Sequence, residues 1–186
     1  MRIFTAFPLD EEARRNLYER YAPVRSSLES VKWVAEENIH ITLIFCGEMT
    51  EDELDRLLEA LESGVSRPGP FQVEYRGIEC FPPRGKPKVI YSRISGGTAG
   101  CIDVWSRMSG RLAEAGVSGR GDIKPYIPHI TLGRIKRKGF YPRPDTYEEI
   151  SGEIRVSSFG VFESKLTPEG PVYRIVQSYA LSDKTV

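Results

Sequence analysis

An α+β fold built largely on antiparallel strands is predicted for this chain of 186 residues, and three observations predict it. Strand-like and helix-like segments follow one another irregularly, without the repeating βαβ order of a parallel sheet. Two neighbouring apolar runs, 71–81 and 87–94, are joined by the loop PPRGKP, which suits a hairpin. No Pro/Gly/Ser-rich linker divides the chain, so residues 1–186 are read as one domain with two lobes.

MRIFTAF (1–7) reads as a strand, and a helix over 11–21 stops near Pro23. NIHITLIF (38–45) is an apolar, β-branched run and the clearest early strand. Thr50 then opens a helix through the capping box Thr50-x-x-Glu53. Leu54, Leu57, Leu58 and Leu61 lie on one face of that helix, spaced for core packing, and Gly64 closes it. After the hairpin a second long helix fits 99–115, with Ile102, Trp105, Met108 and Leu112 turned inward and Gly116 past its end. A strand over 127–136 resembles the first histidine strand, and strands over 154–162 and 172–181, split by TPEGP, complete the set.

Composition excludes several classes. With 40% hydrophobic residues and a net charge of zero, the chain is not of the disordered type. No run approaches the roughly 20 apolar residues of a membrane span. The N-terminus turns charged too early for a signal peptide, so a cytoplasmic protein is expected. Cys46, Cys80 and Cys101 are too scattered for a disulfide framework or a CxxC site and are read as buried, reduced thiols. The neutral total conceals an asymmetry. Residues 1–75 hold 8 Lys/Arg against 15 Asp/Glu, whereas 76–143 hold 14 against 4, a surface composition suited to a polyanion.

The chain has two histidines, and both head the same tetrapeptide: His40-Ile41-Thr42-Leu43 and His129-Ile130-Thr131-Leu132. From average residue usage that coincidence is on the order of one in several thousand. Strand alternation places His40 and Thr42 on one face, with Ile39, Ile41, Leu43 and Phe45 on the other. His129 and Thr131 likewise share a face, backed by Ile130 and Leu132. Two histidines without a nearby HxH, HExxH or acidic cluster do not make up the three or four ligands of a metal site. GxSxG, P-loop and GxGxxG patterns are missing as well. General acid–base catalysis remains, with one imidazole taking a proton and the other giving one near neutral pH. The threonine hydroxyls suit the non-bridging oxygens of a phosphoryl centre. Lys124, Arg134, Lys136, Arg137 and Lys138 around the second motif favour a phosphate ester, as at an RNA end.

Two HxTx motifs about ninety residues apart resemble the signature of the 2H phosphoesterase superfamily. The chain resembles in particular its RNA 2′,3′-cyclic phosphodiesterase branch, once called 2′-5′ RNA ligases. The matching segments are MRIFTAF, VKWVAEENIHITLIFCGE (31–48), KPYIPHITLGRIK (124–136) and SFGVFESKLTPEGPVYRIVQSYAL (158–181). The resemblance implies a bilobal α+β fold with two pseudo-symmetric lobes of antiparallel β-sheet, helices on the outside and a central cleft. It implies metal-independent hydrolysis of RNA 2′,3′-cyclic phosphate ends to 2′-phosphate ends, without a cofactor. A monomer with RNA as partner and no membrane contact is expected. His40 would give a proton to the leaving O3′ and His129 would activate water. Thr42, Thr131 and Arg134 match positions that hold the phosphate, and Tyr126 matches an aromatic that lines the cleft. On an ideal strand Arg134 would point away from the histidines, so its role requires a bulge at Gly133. The opening AFPLD departs from the family's usual aspartate-leucine-proline order. Ligation at a 2′-5′ linkage and a non-catalytic RNA-end binding module are the alternatives.

Overall fold

A computed structural model describes residues 1–62, 68–83, 86–117, 126–136, 147–168 and 170–182. The strands are β1 (Arg2–Pro8), β2 (Val31–Trp33), β3 (His40–Glu48), β4 (Phe71–Phe81), β5 (Val89–Gly96), β6 (His129–Ile135), β7 (Ser151–Val156), β8 (Ser158–Leu166) and β9 (Pro171–Ala180). The helices are α1 (Glu11–Arg20), α2 (Ala22–Ser27), α3 (Glu51–Glu62) and α4 (Thr98–Glu114), with a 3-10 turn at Glu36–Asn38. All the strand pairings are antiparallel, in the order β7-β4-β5-β6-β3-β1-β8-β9, with β2 added to β6.

This order forces the sheet to curl. β7 and β8 are separated by Ser157 alone, yet they lie six places apart in the sheet. In a flat sheet six steps of about 4.8 Å would separate them by about 29 Å, whereas the link between Val156 and Ser158 spans at most about 7 Å. The ends of the sheet must therefore approach each other. The expected single strand over 154–162 is corrected accordingly: β7 joins β4, and β8 joins β1. Buried parity switches at the same place, from Ile154 and Val156 to Phe159 and Val161.

Two half-sheets result, β7-β4-β5-β6 and β3-β1-β8-β9, each holding one histidine strand. A single residue pair, Ile41 with Ile130, joins them. The helices exchange halves. On α4, buried Met108 meets Thr5 of β1, in the half β3-β1-β8-β9. On the half β7-β4-β5-β6 sits Tyr21, just past α1, whose hydroxyl bonds the Gly77 carbonyl and Ser92.

Local expectations fare as follows. The capping box forms: the Thr50 amide donates to Glu53 Oε2 at 2.7 Å, and the Glu53 amide donates to Thr50 Oγ1 at 3.3 Å. Leu54, Leu57 and Leu61 are buried, while Gly64 lies outside the described residues. Pro23 stands in the first turn of α2 instead of simply ending a helix, a position where its missing N–H costs nothing. On α4 the buried stripe is Cys101, Val104, Met108 and Leu112. Ile102 lies one residue, about 100°, off that stripe and is exposed, correcting its inward placement. Gly116 ends α4 with φ of 68°, a left-handed conformation that favours glycine. All three cysteines are buried and unbridged.

Both histidine strands carry a bulge at the same point. Along β3, Thr5 pairs with Ile44 but Ala6 with Thr42, so Leu43 is the extra residue. Along β6, Ile90 pairs with Gly133 but Tyr91 with Thr131, so Leu132 is the extra residue. The fourth position of each HITL repeat is thus a β-bulge. The bulges are held by named bonds: the Ile44 amide donates to buried Thr5 Oγ1 at 3.1 Å, and the Leu132 carbonyl accepts from the Val34 amide at 2.8 Å. Gly133 has no room for a side chain, since a Cβ there would meet Val31 Cγ1 at 2.5 Å. Replacing Thr5 with Val removes the acceptor for a buried amide and is expected to cost about 1–3 kcal/mol. Replacement with Ser should cost less. Urea denaturation midpoints of the two variants check this, and equal stability of Thr5→Val and the parent protein would contradict it.

Candidate active site

Each histidine opens its strand, and in each the Nδ1–H is committed to a carbonyl two residues upstream. His40 Nδ1 bonds the Asn38 carbonyl and His129 Nδ1 bonds the Ile127 carbonyl, both at 2.7 Å. A carbonyl can only accept, so Nδ1 carries the proton in both rings and Nε2 of the neutral ring is left as an acceptor. His40 Nε2 takes the Thr42 hydroxyl at 2.9 Å.

The junction of the half-sheets sets the mutual arrangement. With Ile41 opposite Ile130, antiparallel counting aligns His40 with Thr131 and Thr42 with His129. Ile41 and Ile130 point into the core and are fully buried, so the four polar groups share the opposite face. The imidazoles lie on a diagonal, close enough for a positive charge on His129 to disfavour protonation of His40.

Two aromatic rings flank each imidazole. Phe4 and Tyr173 lie 5.0 and 5.4 Å from the His40 ring, and Tyr91 and Phe81 lie 5.2 and 5.5 Å from the His129 ring. Phe81 and Tyr91 stack on each other, and the Tyr91 hydroxyl donates to Glu79 at 2.5 Å. Burial among these rings is the leading cause that lowers both imidazole pKa values. It brings His40 from 6.5 to about 4, against the opposing bond to Asn38. Both rings are therefore neutral at pH 7 in the free protein.

The bulges complete the site. Each adds one residue after the threonine, so the position five past each histidine turns to the histidine face. In β3 that residue is Phe45, which is 58% exposed and lies 6.1 Å from Phe4. Its expected place on the core face is thereby corrected. In β6 it is Arg134, which the bulge turns in phase with His129 and Thr131; the extra residue is Leu132, whereas Gly133, where the bulge was expected, is paired with Ile90. Arg134 is exposed, and its charge reaches Tyr173, where burial raises the phenol's pKa and the cations Arg134 and Arg2 oppose the rise. Tyr126 stacks on Trp105, and its hydroxyl donates to the Thr42 carbonyl at 3.0 Å, so its link to the site runs through Thr42. Thr42 is buried and Thr131 is partly exposed. Lys124, Arg137 and Lys138 lie outside the described residues. Sequence reasoning passed over Phe4, Phe45, Phe81, Tyr91 and Tyr173. The alternation of Phe4 and Ala6 against buried Ile3 and Thr5 in β1 was the one available signal that this strand is covered on both faces.

No group of three or more His, Cys, Asp or Glu suited to hold a metal ion is assembled among the described residues, nor is any described helix long and apolar enough to cross a membrane.

Comparison with known proteins assigns this architecture to a class. The fold recurs in a crystal structure from Thermus thermophilus, 32% identical, with a TM-score of 0.77 over 97% of this chain and 98% of that one. The RNA 2′,3′-cyclic phosphodiesterase of Archaeoglobus fulgidus is 32% identical over 184 residues, covering 94% of this chain and 97% of the relative. That of Thermus thermophilus is 35% identical over 185 residues, covering 97% and 90%. A family model described as LigT like phosphoesterase matches residues 7–91 and 103–173. The chain belongs to the LigT-like phosphoesterase family.

The depressed pKa values have a measurable consequence. The unfolded chain protonates its histidines near pH 6.5 and the folded one at lower pH, so between these values the unfolded state binds more protons. Stability is expected to be constant above about pH 6.5 and to fall as pH drops towards about 4, the folded value of His40. NMR titration of the two imidazoles checks the cause. His40 should titrate well below 6.5, and inorganic phosphate in the site should raise both values.

Proposed function

We propose that this protein hydrolyses 2′,3′-cyclic phosphate ends of RNA, leaving a 2′-phosphate, by two-histidine acid–base catalysis without a metal ion. The observation that carries the proposal is the pair of imidazoles on one face of adjoining strands, each with Nδ1–H tied back and Nε2 presented. The relatives named as RNA 2′,3′-cyclic phosphodiesterases at about a third identity support the substrate.

In this reaction water attacks phosphorus in line with O3′. His129 Nε2, an acceptor with no partner among the described residues, takes the proton from water. The P–O3′ bond breaks, and the leaving oxygen takes a proton from His40 Nε2. The phosphoryl group stays on O2′, and the two proton transfers balance. His40 must be protonated first, and an anionic substrate raises its pKa towards neutrality. Protonation also changes the partner. Once Nε2 becomes a donor, the Thr42 hydroxyl can accept from it and turn its own proton to a non-bridging phosphate oxygen. Thr131 and Arg134 supply further donors to that charge, and each preorganised donor contributes several kcal/mol in a water-poor site. The exposed ring of Phe45 offers a flat apolar surface beside them, suited to a base. Tyr126 serves the site by holding the Thr42 backbone.

The test is hydrolysis of an oligoribonucleotide ending in a 2′,3′-cyclic phosphate, in EDTA, with the product identified. A 2′-phosphate end is expected. His40→Ala and His129→Ala should each lower kcat by about 10²–10⁴, with RNA affinity changed far less. Turnover that survives both substitutions, or stops in EDTA, would overturn the proposal.

Exchanging Tyr91 for Phe removes the bond to Glu79 and keeps the ring against His129. A fall in kcat of severalfold is expected, with the product unchanged, and the His129 titration by NMR should shift with it.

A further inference from the structure

Beyond the catalytic face, the cross-strand partner of Arg134 on β2 is Lys32. Directly opposed residues of an antiparallel pair project to the same side, so the bulge that turns Arg134 to the histidine face places Lys32 there as well. The neighbouring pairs agree: Val31 opposite Ile135 and Trp33 opposite Gly133 take the core side, where Val31 is buried.

Two cations face to face on a sheet are destabilising unless an anion lies between them. The same sheet shows the usual remedy. Arg76 and Arg93 are also direct cross-strand partners, and Glu79 and Glu148 neutralise them at 3.0 to 3.7 Å. Lys32 and Arg134 are both exposed, and neither has an acidic partner among the described residues. The approach is also enforced, because Gly133 admits no Cβ against Val31 and Trp33 and so lets β2 lie close on β6.

We propose that Lys32, beside Arg134, forms a second anion subsite that takes the phosphodiester on the 5′ side of the terminal nucleotide. The proposal rests on the reading of the site as one for cyclic phosphate ends. The catalytic face has an aromatic end at Phe45 and a cationic end at Arg134 and Lys32, on opposite sides of the His/Thr quartet. Arg134 stands on β6, the strand of His129 and Thr131, whereas Lys32 stands one strand further out on β2, as the outer cation for the next phosphate of the strand. The subsite discriminates a strand end from a mononucleotide, which has no second phosphate to place there.

The experiment compares a pentaribonucleotide ending in a 2′,3′-cyclic phosphate with a mononucleoside 2′,3′-cyclic phosphate, on the parent protein, Lys32→Gln and Lys32→Arg. For the pentamer, Lys32→Gln is expected to raise KM roughly tenfold with kcat unchanged. The slope of log kcat/KM against log salt should become shallower by about 0.7, one single-strand phosphate contact. The mononucleotide should keep its kcat/KM within about twofold, and Lys32→Arg should restore the pentamer. Equal losses on both substrates, or no loss on the pentamer, overturn the subsite. Failure of the parent protein to open either cyclic phosphate overturns instead the reading on which the subsite rests.

Discussion

One backbone pairing, Ile41 with Ile130, holds the two halves of this protein in functional relation. Elsewhere each half-sheet is knitted by long ladders, up to nine residue pairs between β8 and β9. Across the midline β3 and β6 share a single pair, after which β2 takes over as the neighbour of β6. That narrow join places the threonine of each motif beside the histidine of the other. Shifting one strand by one residue would send its His and Thr into the core and its isoleucine to the surface. Both isoleucines are completely buried, so the hydrophobic core specifies the alignment of the two histidines and two threonines. The repeated Ile in His-Ile-Thr-Leu thus has a role as definite as that of the histidine before it.

The repeated Leu has a different role. Leu43 and Leu132 are the extra residues of two bulges, and each bulge reverses the facing of the residues that follow it, until a second shift at Cys46 in β3. Without them Phe45 would enter the core and Arg134 would leave the site. The bulges expose backbone groups that must be satisfied inside the protein, and Thr5 and Val34 do so. Burial of Thr5 on β1 is therefore explained by a polar demand of the neighbouring strand. The same compact aromatic packing that supports these strands withdraws both imidazoles from water and keeps them neutral. In the proposed reaction such a site rests in the base form and gains its acid when the anionic substrate arrives, which would couple the protonation of His40 to substrate occupancy.

Much of this was legible beforehand. The repeated tetrapeptide marked two strands that the fold brings side by side, and the alternation of polar and β-branched residues put each His and Thr on one face. The Thr50 capping box, the leucine stripe of α3 and the hairpin of β4 and β5 follow from local rules that tertiary structure did not override. What local periodicity missed came from non-local pairing. Ser157 reads as the middle of one strand because nothing in 154–162 states that its two ends belong to opposite sides of a curled sheet. Phe45 reads as core because a strict period of two cannot register an extra residue. The parity of Arg134 did expose the problem, since a charged residue on the apolar phase of a strand calls for a bulge or an error in phase.

The contrast between Phe45 and Arg134 bears on how a pseudo-symmetric frame acts on an asymmetric molecule. The bulges place these two residues at equivalent positions, yet one is an exposed ring and the other a cation paired across the strand with Lys32. The two imidazoles differ in the same way: His40 bonds Thr42 through Nε2 and is the more strongly desolvated, while His129 Nε2 has no partner among the described residues. Equivalent backbone geometry thus presents two unlike imidazoles, and an apolar end and a cationic end, from one repeated design. In the proposed reaction the two imidazoles become an acid and a base, and a nucleotide has the polarity to match the two ends, with an aromatic base on one side of its sugar and phosphates on the other. On that proposal the frame sets the distance between the two ends, and the side chains that differ between the halves orient the nucleotide.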